Sequence, residues 1–107
     1  MNSKTIRSSD IDEARRLASR LYIPGPSTHK GQNGKILIVG GSQLFHAAIL
    51  WSAETASHFV DMVHFASTEE NNEIFLSLKK IFRNGIIVPR TNIDLYAKED
   101  DVILIGP

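Results

Sequence analysis

Apolar positions follow two rhythms along the chain. Lys35-Ile36-Leu37-Ile38-Val39 holds an unbroken aliphatic run with no polar alternation, the mark of a strand buried on both faces beneath helices. Gly40 and Gly41 break the run, and Ser42 offers a helix cap. A helix is then predicted from Phe45 or His46 to His58, with Ala48, Trp51, Thr55 and Phe59 at three- or four-residue steps. Upstream, Ser9-Asp10-Ile11-Asp12-Glu13 opens an amphipathic helix carrying Ile11, Ala14, Leu17, Ala18 and Leu21, which Pro24-Gly25-Pro26 stops. Its Arg15, Arg16 and Arg20 side reads as a solvated face. Residues 1–8 are polar and expected to be disordered.

Downstream, Asp61 to Ala66 reads as a strand, less purely apolar and therefore expected nearer an edge. Thr68 to Glu73 opens a third helix with Ile74, Phe75, Leu78, Ile81 and Phe82 as its buried stripe, Lys79, Lys80 and Arg83 in its last turn, and Asn84-Gly85 as a left-handed cap. Ile86-Ile87-Val88 is a short strand stopped by Pro89, Asn92 can cap a short helix through Tyr96, and Val102-Ile103-Leu104-Ile105 is a last apolar strand. About four strands and four helices in alternation predict a single α/β domain over 1–107, a three-layer α/β/α sandwich with a mainly parallel sheet.

Composition narrows the function classes. Twelve basic side chains balance twelve acidic ones, so the clustered positive excess that nucleic acid or an anionic membrane would need is missing. The absence of cysteine excludes disulfides, thiolate metal sites and a cysteine nucleophile. The N-terminus lacks the apolar core of a signal peptide and no apolar run reaches membrane-span length, so a cytoplasmic protein is expected.

The strand, glycine turn and predicted helix start form a place where backbone N–H groups could meet an anion. Stricter motifs fail there. Neither the G-x-G-x-x-G dinucleotide fingerprint nor the G-x-x-x-x-G-K-[ST] phosphate loop is present, and Leu44 replaces the second glycine of a G-x-S-x-G nucleophile elbow. His29, His46, His58 and His64 are too scattered for a local metal motif and read as surface or satisfied core residues. Asp100-Asp101 reads as a turn with solvated carboxylates. His29-Lys30-Gly31-Gln32-Asn33-Gly34 is either a surface connection or a loop whose lysine faces a phosphate. The uncovered last strand also suggests a non-catalytic module that binds a partner or itself.

His29-Lys30-Gly31, Gly40-Gly41-Ser42, Ala48 and Gly106-Pro107, in this order and spacing, resemble the opening part of the ADP/ATP-dependent NAD(P)H-hydrate dehydratases of the ribokinase-like superfamily. The resemblance spans roughly residues 26–107. It implies a truncated ribokinase-like fold and a metabolite-repair lyase in which the terminal phosphate of ADP or ATP, with Mg2+, is transferred to the hydroxyl of hydrated NADH or NADPH and then eliminated. By position, Gly41, Ser42, Ala48 and Gly106 would border the substrate and Lys30 would be a phosphate contact. Ala47 stands where the family commonly has glycine, which implies a narrower pocket. The family's Gly-Thr-Gly-Asp segment, bearing its catalytic aspartate, has no counterpart here. The expected protein is therefore part of a dehydratase, inactive alone, with a small-molecule nucleotide as ligand and a homo-oligomer as its assembly. A sugar or vitamin kinase of the same superfamily is the third reading.

Overall fold

The computed structural model of the protein describes residues 3–107. Helix α1 (Ile11–Ala18) is followed by β1 (Lys35–Val39), α2 (Ala47–Ser57), β2 (Met62–Ala66), α3 (Glu69–Leu78) and β3 (Gly85–Ile87). A single 3-10 turn (Arg90–Asn92) then leads into α4 (Ile93–Glu99) and β4 (Val102–Ile105). All strand pairs are parallel and the sheet order is β3-β2-β1-β4. The α/β sandwich with a parallel sheet is as the alternation predicts.

The two faces of the sheet carry separate cores, because side chains alternate along each strand. On one face Ile38, Val63 and Phe65 pack with Ile49, Leu50 and Ala53 of α2 and Phe75 of α3. Phe65 and Phe75 stack with centroids 4.3 Å apart, and Phe82 meets Phe75 edge-on. On the other face Leu37, Ala66 and Val88 lie under Ile93, Tyr96 and Ala97, so α4 forms the third layer.

Several expectations need correction. Strand β2 is not near an edge but lies between β1 and β3. Its one polar inward residue, His64, is fully buried because its Nδ1 sits 2.7 Å from both carboxylate oxygens of Asp100 and its ring meets Tyr96 edge-on at 4.6 Å. Asp100 is accordingly no solvated turn residue: its side chain is as buried as that of His64. Asp101 accepts the N–H of Lys35 and donates its own to the Lys35 carbonyl, registering β4 on β1. Gly85 is no left-handed cap, since it begins β3 with φ outside the positive region. It is glycine because a Cβ there would lie 2.7 Å from Cζ of Phe75. Helix α3 stops at Leu78, so Lys80, Ile81 and Arg83 fall beyond it, and Ile74 and Ile81 are exposed rather than buried.

Helix α1 is capped by the Asp10 carboxylate, which accepts the Glu13 N–H, and not by Ser9. Its apolar residues Ile11 and Leu17 are exposed, so the predicted stripe covers no core. Glu13 and Arg16 form a two-point pair, at 2.7 and 2.9 Å, and hydrogen bonding from Arg16 lowers the Glu13 carboxyl from 4.5 to about 2. Residues 3–8 contain no helix or strand, and residues 1 and 2 of the segment expected to be disordered lie outside the described residues.

The buried His64–Asp100 contact is the tie between the start of β4 and the sheet interior. Asp100→Ala leaves an imidazole without partners in a sealed site, and the expected loss of unfolding free energy is about 2–4 kcal/mol. Urea denaturation of the two proteins measures it, and a change below about 0.5 kcal/mol would contradict this account of β2.

Candidate functional site

In an open parallel sheet, ligands bind beyond the carboxyl ends of the strands where the strand order reverses. Here the chain proceeds from β1 outward to β2 and β3 on one side, and β4 returns to the other side of β1. The reversal point lies between β1 and β4, whose carboxyl ends run into Gly40-Gly41-Ser42 and Gly106-Pro107. The fold thus brings together Gly41, Ser42, Ala48 and Gly106. Lys30 is left out. It precedes β1, so it belongs to the opposite end of a strand roughly 15 Å long. Its loop is pinned there by Asp61, whose Oδ2 accepts the N–H groups of Gly31 and Asn33.

The two glycines of the turn have distinct packing reasons. A Cβ on Gly40 would lie 2.6 Å from the Gly106 carbonyl oxygen, so only glycine lets β1 and β4 leave the sheet side by side. Gly41 has φ +81°, and a Cβ there would lie 2.6 Å from Nδ2 of Asn71 and 2.7 Å from Oγ of Ser67. Those two side chains hold the turn from below. Ser67 donates to the Gly40 carbonyl at 2.5 Å, while Asn71 Nδ2 lies 2.9 Å from Ser67 Oγ and 3.1 Å from the Ser42 carbonyl. Both are buried, and Asn71 Oδ1 has no hydrogen-bond partner among the described residues. Sequence reading missed them. Their polarity at the entrance to α3 looks like ordinary capping, and Thr68 does cap that helix through the Asn71 N–H.

The amides near Ser42 are not free for an anion. Gly40 N–H donates to Ala66, Gly41 N–H to Pro107 at 2.9 Å, and Ser42 N–H to Phe45 at 2.9 Å. Ser42 also does not cap α2, because its Oγ accepts the Phe45 N–H within a short loop. Helix α2 begins at Ala47 after His46, which gives no side-chain cap. The first-turn amides of that helix therefore have no intrahelical acceptor and face the same end of the sheet.

Above this turn lies an apolar groove of about 730 Å³ lined by Ser42, Leu44, Phe45, Ala48, Trp51 and Pro107, together with His46 and Ala47. A second groove of about 550 Å³ continues from it between α2 and β4, sharing Ala48 and Trp51 and reaching Leu104. Ala48 is exposed and helps line both. Ala47 lines the first. Among the described residues, no group of His, Asp and Glu could hold a metal ion.

Two substitutions separate packing from exposure at the turn. Gly41→Ala is expected to cost more than about 1 kcal/mol of stability, from both the positive φ and the contact with Asn71. Gly106→Ala should change stability by less than about 0.5 kcal/mol, since nothing lies within 4 Å of a Cβ there. Chemical denaturation checks both, and equal effects would contradict the geometry.

No family model matches the chain, and no solved structure matches it. Among curated proteins it is 32% identical over 88 residues to the bifunctional NAD(P)H-hydrate repair enzyme of Methanocaldococcus jannaschii, covering 75% of this chain and 17% of that protein. It is also 32% identical over 96 residues to the ADP-dependent (S)-NAD(P)H-hydrate dehydratase of Lactiplantibacillus plantarum, covering 85% of this chain and 34% of that enzyme. The chain thus spans about a third or less of the length of the curated relatives it matches. Both matched proteins are NAD(P)H-hydrate repair or dehydratase enzymes by name, and over most of its length this chain is similar to a part of each.

Proposed function

We propose that this chain supplies one wall of the substrate cleft of an NAD(P)H-hydrate dehydratase and does not carry out the dehydration by itself. The observation that carries the reading is the groove beside Ser42, Ala48 and Pro107, at the reversal point of the sheet. Its lining has Leu44, Phe45 and Trp51 and, among the described residues, no Asp, Glu, Lys or Arg, which suits the flat face of a ring better than a phosphate. Gly41 fixes the turn beneath the groove, Ala48 keeps the helix surface low, and Gly106 leaves open space at the end of β4.

ADP or ATP and Mg2+ fit these residues poorly. The turn amides already have acceptors, Lys30 belongs to the other end of β1, and the described residues hold no carboxylate cluster for a cation. Phosphate transfer and elimination are therefore assigned to groups outside this wall. The ligand for this chain is the hydrated nicotinamide nucleotide, bound ring-first, with the uncapped start of α2 facing its negative end. As a repair activity on a soluble cofactor, the reading carries a cytoplasmic location with it. No helix of the described residues is long and apolar enough to cross a membrane.

Thermal denaturation with hydrated NADPH, NADPH and ADP in turn tests the proposal. Hydrated NADPH should raise Tm by about 10 °C at a hundredfold excess over its Kd, and ADP should act weakly or not at all. Ala48→Arg, a change at an exposed position, should abolish the shift without altering the unliganded Tm by more than a few degrees. Absence of a shift with either nicotinamide nucleotide, or an equal shift in Ala48→Arg, would contradict the assignment.

A further inference from the structure

A further cavity, of about 340 Å³, opens at the carboxyl ends of β2 and β3. It shares no lining residue with the grooves over Ala48. Sheet order puts it at the margin opposite β4, and its walls come from the stretch between Ser67 and Arg90. Strand β2 ends at Ala66 and hands over to Ser67, and Thr68 caps α3, so that Glu69 and Asn72 stand at the start of that helix. On the other side Pro89 follows β3, and Arg90 opens the 3-10 turn. Open parallel sheets take ligands beyond the carboxyl ends of their strands.

The cavity combines an apolar side with unmatched charge. Ile87 and Pro89 supply the apolar side. Glu69 and Arg90 carry opposite charges on different elements, both are exposed, and neither has an ion-pair partner among the described residues. Asn72 Oδ1 is sealed from water and has no hydrogen-bond partner among the described residues. A buried acceptor without a donor is costly. The terminal torsion of asparagine is soft, so a modest rotation turns this oxygen toward the cavity that the residue lines. Ser67, by contrast, is already spent on the Gly40 carbonyl.

A ligand of one sign would leave either Glu69 or Arg90 unmatched. A phosphate would meet Arg90 and be repelled by Glu69. A molecule that bears both signs a few bonds apart matches both, and the cavity stands at the small end of ligand sites. We propose that it binds a free α-amino acid, with the carboxylate on the Arg90 guanidinium, the ammonium shared by the Glu69 carboxylate and Asn72 Oδ1, and an aliphatic side chain against Ile87 and Pro89. The guanidinium fork meets a carboxylate at two points, and an ammonium has three donors to divide between its acceptors.

NMR titration of the isotope-labelled chain with L-leucine tests the proposal, read at the side-chain amide of Asn72 and the backbone amide of Glu69. Leucine should shift both signals saturably at millimolar concentrations. Isocaproate, which lacks the ammonium, and isopentylamine, which lacks the carboxylate, should each bind about tenfold or more weakly. Arg90→Met and Glu69→Gln, at exposed positions, should each weaken leucine by a similar factor, and the rest of the spectrum shows that the fold is kept. Ala48→Arg should leave the leucine titration unchanged, because Ala48 lines the other grooves. No saturable shift with leucine would overturn the proposal, as would equal binding of either single-charge analogue or tighter binding of inorganic phosphate. Unchanged leucine affinity in both Arg90→Met and Glu69→Gln would also overturn it. The two sites share no residue, so a failed shift with hydrated NADPH leaves this proposal standing and a failed leucine titration leaves the cleft reading standing.

Discussion

The arrangement at the carboxyl end of the sheet depends on one close approach, that of the Gly40 backbone to the Gly106 carbonyl. With 2.6 Å between a would-be Cβ and that oxygen, no side chain fits between the ends of β1 and β4. Because the strands leave the sheet in contact, Gly41 can donate to Pro107, and the turn is drawn across the top of β2 onto Ser67 and Asn71. The loop from Ser42 to His46 is then lifted above the sheet, and α2 starts only at Ala47. Leu44 and Phe45 are exposed on that loop and become walls of the groove. A backbone contact thus sets the shape of the candidate cleft.

Much of the layering is legible in the sequence, because an unbroken aliphatic run and a 3.6-residue stripe are local signals. What could not be read locally is which surfaces meet. His64 makes β2 look like an edge strand, and its partner Asp100 lies 36 residues away, so its burial depends on a contact no window contains. Gly85 carries the sequence mark of a helix cap, yet the ring of Phe75 decides its identity. The Gly40-Gly41-Ser42 segment shows the same ambiguity at the site. A turn that needs glycine for packing and one that needs it to cradle an anion have the same spelling, and only the positions of Ala66, Phe45 and Pro107 distinguish them.

Strand β4 shows the complementary failure. Its four aliphatic residues have the composition of a doubly covered strand, but composition states what a segment would bury and not what covers it. The groove over Ala48 and the open edge of β4 are continuous through Trp51 and Leu104, so whatever covers the edge also closes one side of the candidate cleft.

Amide hydrogen exchange at the glycine turn tests the central claim most directly, because it separates amides held by the protein from amides open to a ligand. With Gly41 bonded to Pro107 and Ser42 to Phe45, their N–H groups should exchange at least about tenfold more slowly than those of Ala47 and Ala48 at the uncapped start of α2. Fast exchange at Gly41 and Ser42 beside protected amides in the first turn of α2 would contradict the account and return the paired glycines to the role of an anion cradle.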